Sequence, residues 1–565
     1  MDHAPFSEIA LLLLICAAVG ALFVRLRQPV LIAYIVVGIA VGPALFGLVT
    51  AHDQIDLLAQ VGVAVLLFAV GLKLDLHQVR HIGPVALATG LGQLAFTIVI
   101  GFALTLALGK GWVEALYVAV ALTFSSTIII VKLLSDKREL DSLHGRIAVG
   151  FLIVQDLAVV VAMMAMSALR TEAGATADPW TVATGLLGRL AAAAVVLFAL
   201  MRGVLPKLVA TMARSQELLL IFGVAWGVGL AALGEWAGFS KEAGAFLAGF
   251  SLASTPYREA LSARLNSIRD FLLLFFFIDL GAKLNLSSLG AELGAATVLS
   301  LFVLIGNPLI VMVIMGLMGY RKRTGFMAGL TVAQISEFSI VFVAMGITLG
   351  HIGDSALSLT TLVGLVTITL STYMILYAQS IYERLAPWLG VFERRHPFRE
   401  DAADQAVPPE KTEVIVFGLG RYGGRLLEQL RATGIAAIGV DFDPEAVRGL
   451  QARGQPALFG DGEDPDFVES LPLMEVRWVI TTFPQWPSNQ ALLHALAQAG
   501  FQGGVAAAVR DGAHREALRD HNIQRVFEPF EDAADHAAQT LARALREAGP
   551  EVRRPPSNPL QETVA

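Results

Sequence analysis

From about residue 6 to residue 384 the chain alternates long apolar runs with short polar breaks. A helix crossing a bilayer needs about 20 mainly apolar residues. About thirteen runs approach that length, ending near residues 24, 42, 72, 108, 133, 168, 201, 233, 254, 282, 318, 349 and 384. Two of them, Leu31–Gly42 and Lys241–Thr255, are short. Past residue 390 the pattern changes. Arg394 to Pro409 is charged and rich in Pro and Ala, the composition of a linker. Glu413–Phe417 then reads as a buried strand, followed by a helical pattern through Leu430 and a second strand at Ala437–Val440. The division expected is a membrane domain over 1–390, a linker over 391–410, an α/β domain over 411–530, and a terminal helix (Asp532–Ala548) with a disordered tail (Pro550–Ala565) within 531–565.

Loop charges support the span count. Arg25/Arg27, Lys73/Arg80, Lys132/Lys137/Arg138/Arg146, Arg202/Lys207/Arg214, Arg258/Arg264/Arg269 and Arg321/Lys322/Arg323 fall in alternate loops. The intervening loops hold only Lys110, Arg170, Lys241 and Lys283. About 17 basic residues against about 4 place the richer set in the cytoplasm. The N-terminus is then outside and the C-terminal domain inside a bacterial inner membrane. The first run lacks a basic n-region and a cleavage site, so it reads as a retained span.

Composition narrows the class. The 565 residues are 55% hydrophobic and only 16% charged, with mean hydropathy +0.65, whereas soluble domains carry about 25% charged residues. A net charge of −7 with no basic tract argues against nucleic-acid partners. The single cysteine, Cys16, excludes an intramolecular disulfide and a Cys-based metal cluster.

The apolar half repeats itself. Val70-Gly71-Leu72-Lys73-Leu74-Asp75-Leu76 and Leu280-Gly281-Ala282-Lys283-Leu284-Asn285-Leu286 lie about 210 residues apart. The same offset relates the two short runs. Seven spans separate the copies, so they cross in opposite directions, as in transporters built from inverted repeats with a site near mid-membrane.

Polar groups at bilayer depth need a reason. Asp156, with Gln155 before it, sits inside the run Ile147–Ala168. A carboxylate there suits a monovalent cation (K+ or Na+) or a proton, which compete for the same oxygens. Thr123-Phe124-Ser125-Ser126-Thr127 and Gln334-Ile335-Ser336-Glu337-Phe338 are polar clusters at matching repeat positions. They read as crossed, interrupted helices beside Asp156. Asp279 is a second acid, near the outer end of its run, and Arg189 a counter-charge for either. The first strand of the α/β domain runs into Gly418-Leu419-Gly420-Arg421-Tyr422-Gly423, and the second ends in Asp441. Strand, Gly-x-Gly-x-x-Gly, helix and acid together form a dinucleotide fingerprint. Its glycines let phosphate approach a helix N-terminus, and Asp441 can accept ribose hydroxyls. Asp461, after Gly460, and Thr482, after Thr481, are further nucleotide-edge candidates.

Phe124-Ser125-Ser126-Thr127, Gln155-Asp156, the Phe-rich run before Gly281 and Gln334-x-x-Glu337-Phe338 resemble the cation:proton antiporter-2 family, within it the Kef-type potassium/proton antiporters. The resemblance covers about residues 6–384. It implies an all-α polytopic membrane domain in which Asp156 carries ion and proton with Thr127 and Gln155 nearby. Residues 411–530, including Ala507-Ala508-Val509-Arg510-Asp511, resemble the RCK (TrkA-N) regulatory domain, a Rossmann-like α/β fold. That resemblance implies NAD(H) or AMP as a gating ligand, a homodimer, and room for an ancillary regulatory protein. Two positions depart from the family. Asn307 stands where members commonly carry Lys, and Ser262 where glutathione-gated members carry an acid, so neither an Asp–Lys pair nor glutathione gating carries over.

The reading is a monovalent cation/proton antiporter regulated by its nucleotide-binding domain, not an enzyme. One titrating carboxylate favours one-for-one exchange. A nucleotide-gated cation channel is the alternative, though the chain lacks a Thr-Val-Gly-Tyr-Gly-type filter. A membrane dehydrogenase is weaker still, because no Tyr-x-x-x-Lys or paired-His arrangement accompanies the nucleotide motif.

Overall fold

The computed structural model describes residues 5–42, 45, 47, 52–73, 84–137, 139–140, 142–168, 195–237, 241–283, 286–394, 412–484, 486–509 and 523–547. Arg189, residues 74–76 and 284–285 of the repeat, most of the linker (395–411), Arg510-Asp511 and the tail lie outside the described residues. The chain divides into two compact units, Met1–Arg394 and Arg395–Ala565.

The first unit is helical. Its first half contains α1 (Pro5–Arg25), α2 (Val30–Val41), α3 (His52–Lys73), α4 (Pro84–Ala107), α5 (Trp112–Ala121), α6 (Thr127–Asp136) and α7 (Leu143–Ala168). A bent pair follows, α8 (Val195–Gly203) and α9 (Leu205–Met212), at 51°. Then come α10 (Gln216–Trp236), α11 (Lys241–Leu252), α12 (Arg258–Ala282), α13 (Leu286–Leu301), a π turn (Phe302–Gly306) and α14 (Asn307–Leu317). α15 (Lys322–Leu330), α16 (Glu337–Thr348), α17 (Asp354–Leu376) and α18 (Ala378–Leu389) complete it.

Among the described residues, seven helices are long and apolar enough to cross a membrane: α1, α3, α4, α7, α10, α13–α14 together, and α17. The other runs read from the sequence fall on helices that are short (α2, α11), broken (α5–α6, α8–α9, α15–α16) or charged in their first turns (α12). The last run ends at Leu376, not near residue 384. Tyr377 leaves helical geometry, and α18 brings in Gln379, Glu383 and Arg384 with Ala378, Tyr382 and Leu389 buried, a pattern suited to an interface rather than a span.

The repeat governs the packing. Gly281 follows Gly71 by 210 positions and Gly249 follows Gly38 by 211. In the fold the partners are exchanged. A Cβ on Gly38 of α2 would run into the Ile278 carbonyl and lie 3.0 Å from the Gly281 Cα of α12, while one on Gly71 of α3 would run into the Phe246 carbonyl and lie 3.0 Å from the Gly249 Cα of α11. Each short helix thus lies backbone to backbone on the long helix of the other copy, the small-residue contact that lets membrane helices approach closely.

The second unit is a six-stranded parallel sheet in the order β3-β2-β1-β4-β5-β6. The strands are β1 (Val414–Phe417), β2 (Ala437–Asp441), β3 (Ala457–Phe459), β4 (Trp478–Thr481), β5 (Gly504–Ala508) and β6 (Arg525–Phe527). Helices α19 (Arg421–Ala432), α20 (Pro444–Gln451), α21 (Pro465–Glu469) and α22 (Trp486–Gln498) intervene, and α23 (Pro529–Glu547) closes the described chain. Alternate residues of β1 enter different cores, Ile415 and Phe417 one, Val414 and Val416 the other, because a parallel sheet is covered on both faces. β6, with three residues, is too short for its period to show in the sequence. α23 begins at Pro529 rather than Asp532, with Glu531 and Asp532 in its first turn, where the helix dipole favours acids.

Candidate functional site

Two helices of the bundle are interrupted at matching places. α5 stops at Ala121; the Thr123 hydroxyl turns back to the Val120 carbonyl (2.6 Å), and the Ser126 hydroxyl accepts the Ile129 N–H (3.4 Å) to start α6. α15 stops at Leu330; the Thr331 hydroxyl turns back to Ala328 (2.6 Å), and Ser336 caps α16 by accepting the Phe338 N–H (3.1 Å). Hydroxyl side chains that compete for backbone groups break the helix here and restart it. Ser126 and Ser336 are 210 positions apart, as are Thr127 and Glu337, the first residues of α6 and α16. The breaks meet where the Ser339 hydroxyl donates to the Ala121 carbonyl (2.6 Å).

Each break is tied to the helix after it. The Ser125 N–H donates to Gln155 Oε1 of α7 (3.0 Å), and the Ile335 N–H to Thr367 Oγ1 of α17 (3.4 Å). Gln155 is buried and Asp156 beside it half-buried. The hydroxyls of Ser125 and Thr127 are buried and have no hydrogen-bond partner among the described residues. Gln334 accepts the Ser371 hydroxyl (2.7 Å), leaving its Nε2 without one. Glu337 is buried at the N-terminus of α16 and accepts the Ser336 hydroxyl (3.3 Å). The structure therefore draws Ser125, Ser126, Thr127 and Gln155 together, with Asp156 adjacent in the chain, and holds Gln334 and Glu337 at the second break.

Asp279 lies elsewhere. It pairs with Lys283 (2.6 Å), which also reaches Asp56 (3.0 Å), on the rim of a cleft of about 260 Å³ whose walls include Glu242, Phe276 and Met345. Sequence reading missed the polar groups of α4 and their partner. Gln155 Nε2 donates to Gln93 Oε1 (2.8 Å), Gln93 Nε2 to Thr97 Oγ1 (3.1 Å) and to the Thr123 carbonyl (3.4 Å), and the Thr97 hydroxyl to Asn307 Oδ1 (3.0 Å). Asn307 Nδ2 donates to the Leu122 carbonyl (3.2 Å). Gln93 and Thr97, four apart in an apolar run, carried a signal: one polar face on an otherwise greasy helix.

In the second unit Gly418 adopts φ +86°, open to glycine, and a Cβ on Gly423 would strike the Gly418 carbonyl. A Cβ on Gly420 would meet nothing. Asp441, at the end of β2, accepts the N–H of Leu419 (2.5 Å) and of Asp443 (2.7 Å). The Thr482 hydroxyl donates to the Gly418 carbonyl (2.7 Å). Asp461 is buried and accepts the Glu463 N–H (2.9 Å). Arg421 and Tyr422 are exposed at the start of α19; partial burial, with Asp532 nearby, raises the Tyr422 hydroxyl above its ordinary pKa. Gly418, Gly420, Gly423, Asp441 and Thr482 thus come together at one loop.

Inverted repeats, paired broken helices and a buried polar crossing define a secondary transporter of the cation/proton antiporter class, joined to a Rossmann-like domain. The chain belongs to the sodium/hydrogen exchanger family: the family's transmembrane model matches residues 10–376, and a TrkA-N domain matches 414–529. It is similar to the iron transporter MagA of Paramagnetospirillum magneticum (31% identity; 66% of this chain, 85% of that one). It is also similar to the putative cation/proton antiporter YbaL of Escherichia coli (25%; 91% and 95%) and to the glutathione-regulated potassium-efflux protein KefC of Cronobacter sakazakii (27%; 97% and 86%). This is a family of multi-pass membrane transporters, and the gated-channel alternative is not favoured.

Proposed function

We propose that the protein exchanges K+ or Na+ for protons across a bacterial inner membrane, with Asp156 as the carboxylate both ions share. The observation that carries the reading is the pair of buried hydroxyls, Ser125 and Thr127, left without a hydrogen-bond partner among the described residues at the break tied to Gln155. Oxygens in a polar interruption can replace water around an alkali cation. When Asp156 is protonated the cation leaves; when the proton leaves, the carboxylate and hydroxyls hold the cation. One carboxylate shared in this way makes the exchange one-for-one. Similarity to KefC favours K+ as the transported ion. Loop charges favour an outer N-terminus and a cytoplasmic α/β domain.

NAD(H) or AMP bound at 418–423 is the regulatory ligand of this reading. Gly420 supports it, since the packing does not require a glycine there while a phosphate approaching the N-terminus of α19 does. Asp441 would receive the ribose hydroxyls. The domain works as a homodimer, and an ancillary protein could bind it. Proton flux in everted vesicles with K+, Na+ and Li+, with and without NADH and AMP, tests the reading. Cation-dependent flux that saturates, responds to pH and changes with one nucleotide is expected; unitary currents would contradict it.

A further inference from the structure

The polar groups between α4, α7, α14 and the first break form a single chain whose direction is fixed. An amide can be turned either way unless its partners decide. Here backbone groups decide at both ends. The Ser125 N–H can only donate, so Gln155 must face it with Oε1 and turn its NH2 to Gln93. Gln93 then offers its own NH2 to Thr97 and to the Thr123 carbonyl, which can only accept. The Thr97 hydroxyl, holding one donor, gives its proton to Asn307, and the Asn307 NH2 faces the Leu122 carbonyl, again an acceptor only. Gln93, Thr97, Gln155 and Asn307 are all essentially without solvent contact, so no water completes a broken link cheaply.

We propose that Asn307 is a positioning residue for the cation site, acting through Thr97 and Gln93 on the amide of Gln155. The proposal rests on Asp156 being the carrier. Asn307 supplies an acceptor and a donor from one planar group, which is what the end of the chain requires. A Lys at 307 has only donors. It would leave Thr97 with two donors on its oxygen and its own proton unplaced. Thr97 and Asn307 are also 210 positions apart, the repeat offset. Equivalent residues touch only on the axis relating the copies, so the chain starts where the two halves of the bundle meet. Its other end holds the Ser125 N–H, two residues before Thr127. The Leu122 and Thr123 carbonyls are engaged by amides, while the buried Ser125 and Thr127 hydroxyls have no hydrogen-bond partner among the described residues.

The test compares Thr97→Val, Thr97→Ser, Asn307→Leu and Asp156→Asn in the full-length protein. Cation-dependent proton flux gives the half-saturating K+ or Na+ concentration and the maximal rate; melting in detergent reads folding. Thr97→Val and Asn307→Leu should raise the half-saturating concentration about tenfold, with Thr97→Ser within about twofold of the parent. Variants that melt lower or turn over more slowly but keep the parent half-saturating concentration would show a purely structural role and overturn the proposal. Val matches Thr in volume, so Thr97→Val carries the test should Asn307→Leu fail to fold. If Asp156→Asn keeps full exchange, the carrier reading is what fails. If it abolishes exchange while Thr97→Val and Asn307→Leu leave the half-saturating concentration unchanged, the positioning reading alone fails.

Discussion

Gly38 and Gly281 meet backbone to backbone: a Cβ added to Gly281 would overlap the Ile35 carbonyl and lie 2.9 Å from the Gly38 Cα. Gly71 and Gly249 repeat the contact between α3 and α11. No side-chain movement relieves such an overlap, because its targets are backbone atoms. Gly281→Val should therefore cost about 1–3 kcal/mol or prevent folding, whereas Gly294→Ala, whose Cβ meets open space, should be neutral. Melting of the two variants in detergent is the check; equal stability would contradict this packing.

Glu139, in the connection between α6 and α7, is half-buried. Burial pushes its carboxyl up, but the hydrogen bond from His144 (3.4 Å) and the charge of Lys137 (2.8 Å) outweigh it and hold the pKa down at about 2, from 4.5. A depressed carboxylate pKa contributes stability that is present above the unfolded value and lost as pH falls through the folded one. Glu139→Gln should lower stability at neutral pH by on the order of 3 kcal/mol. It should also flatten the loss of stability between pH 4.5 and 2. Parallel pH–melting curves for the two proteins would contradict the assignment.

Gly420 separates folding from binding in the α/β unit. A Cβ at position 420 meets no protein atom, so Gly420→Ala should leave the melting temperature of the unliganded protein unchanged. Affinity for NADH or AMP, read by calorimetry on the full-length protein, should fall at least tenfold, because the side chain enters the space a phosphate needs. Unchanged affinity would remove the loop from nucleotide binding.

Lys283 neutralises both Asp56 and Asp279 at the mouth of the cleft. Lys283→Met should lower the half-saturating cation concentration about two- to threefold at low ionic strength, with the gain vanishing in high salt. A change that persists in high salt would point to a direct structural effect instead.

The spans, the repeat, the polar clusters and the dinucleotide fingerprint were legible because each rests on local pattern: apolar length, a recurrent Gly-x-Lys motif, Ser and Thr inside apolar runs, glycines between a strand and a helix. What was not legible depends on which helices touch. The link from Asn307 to Leu122 spans 185 positions and that from Thr97 to Asn307 spans 210, and no window of sequence contains either pair. Asn307, a departure from family pattern in one dimension, is in three dimensions the end of a hydrogen-bonded chain, on a helix whose preceding π turn accommodates Pro308. Asp279, read from sequence as an acid near the outer end of its run, is the last carboxylate of α12 and pairs with Lys283 just beyond it; that partner lies within one helical turn and needs no long-range contact to be seen.

Exchange in this reading needs the Asp156 carboxylate, and the most direct measurement is cation-dependent proton movement in everted vesicles carrying Asp156→Asn at matched expression. Asn keeps the size and a carbonyl oxygen but can neither ionise nor take up the exchanged proton. Flux at background for K+ and Na+ alike, across the pH range where the parent works, is the predicted result; saturable, cation-driven proton movement in Asp156→Asn would contradict it.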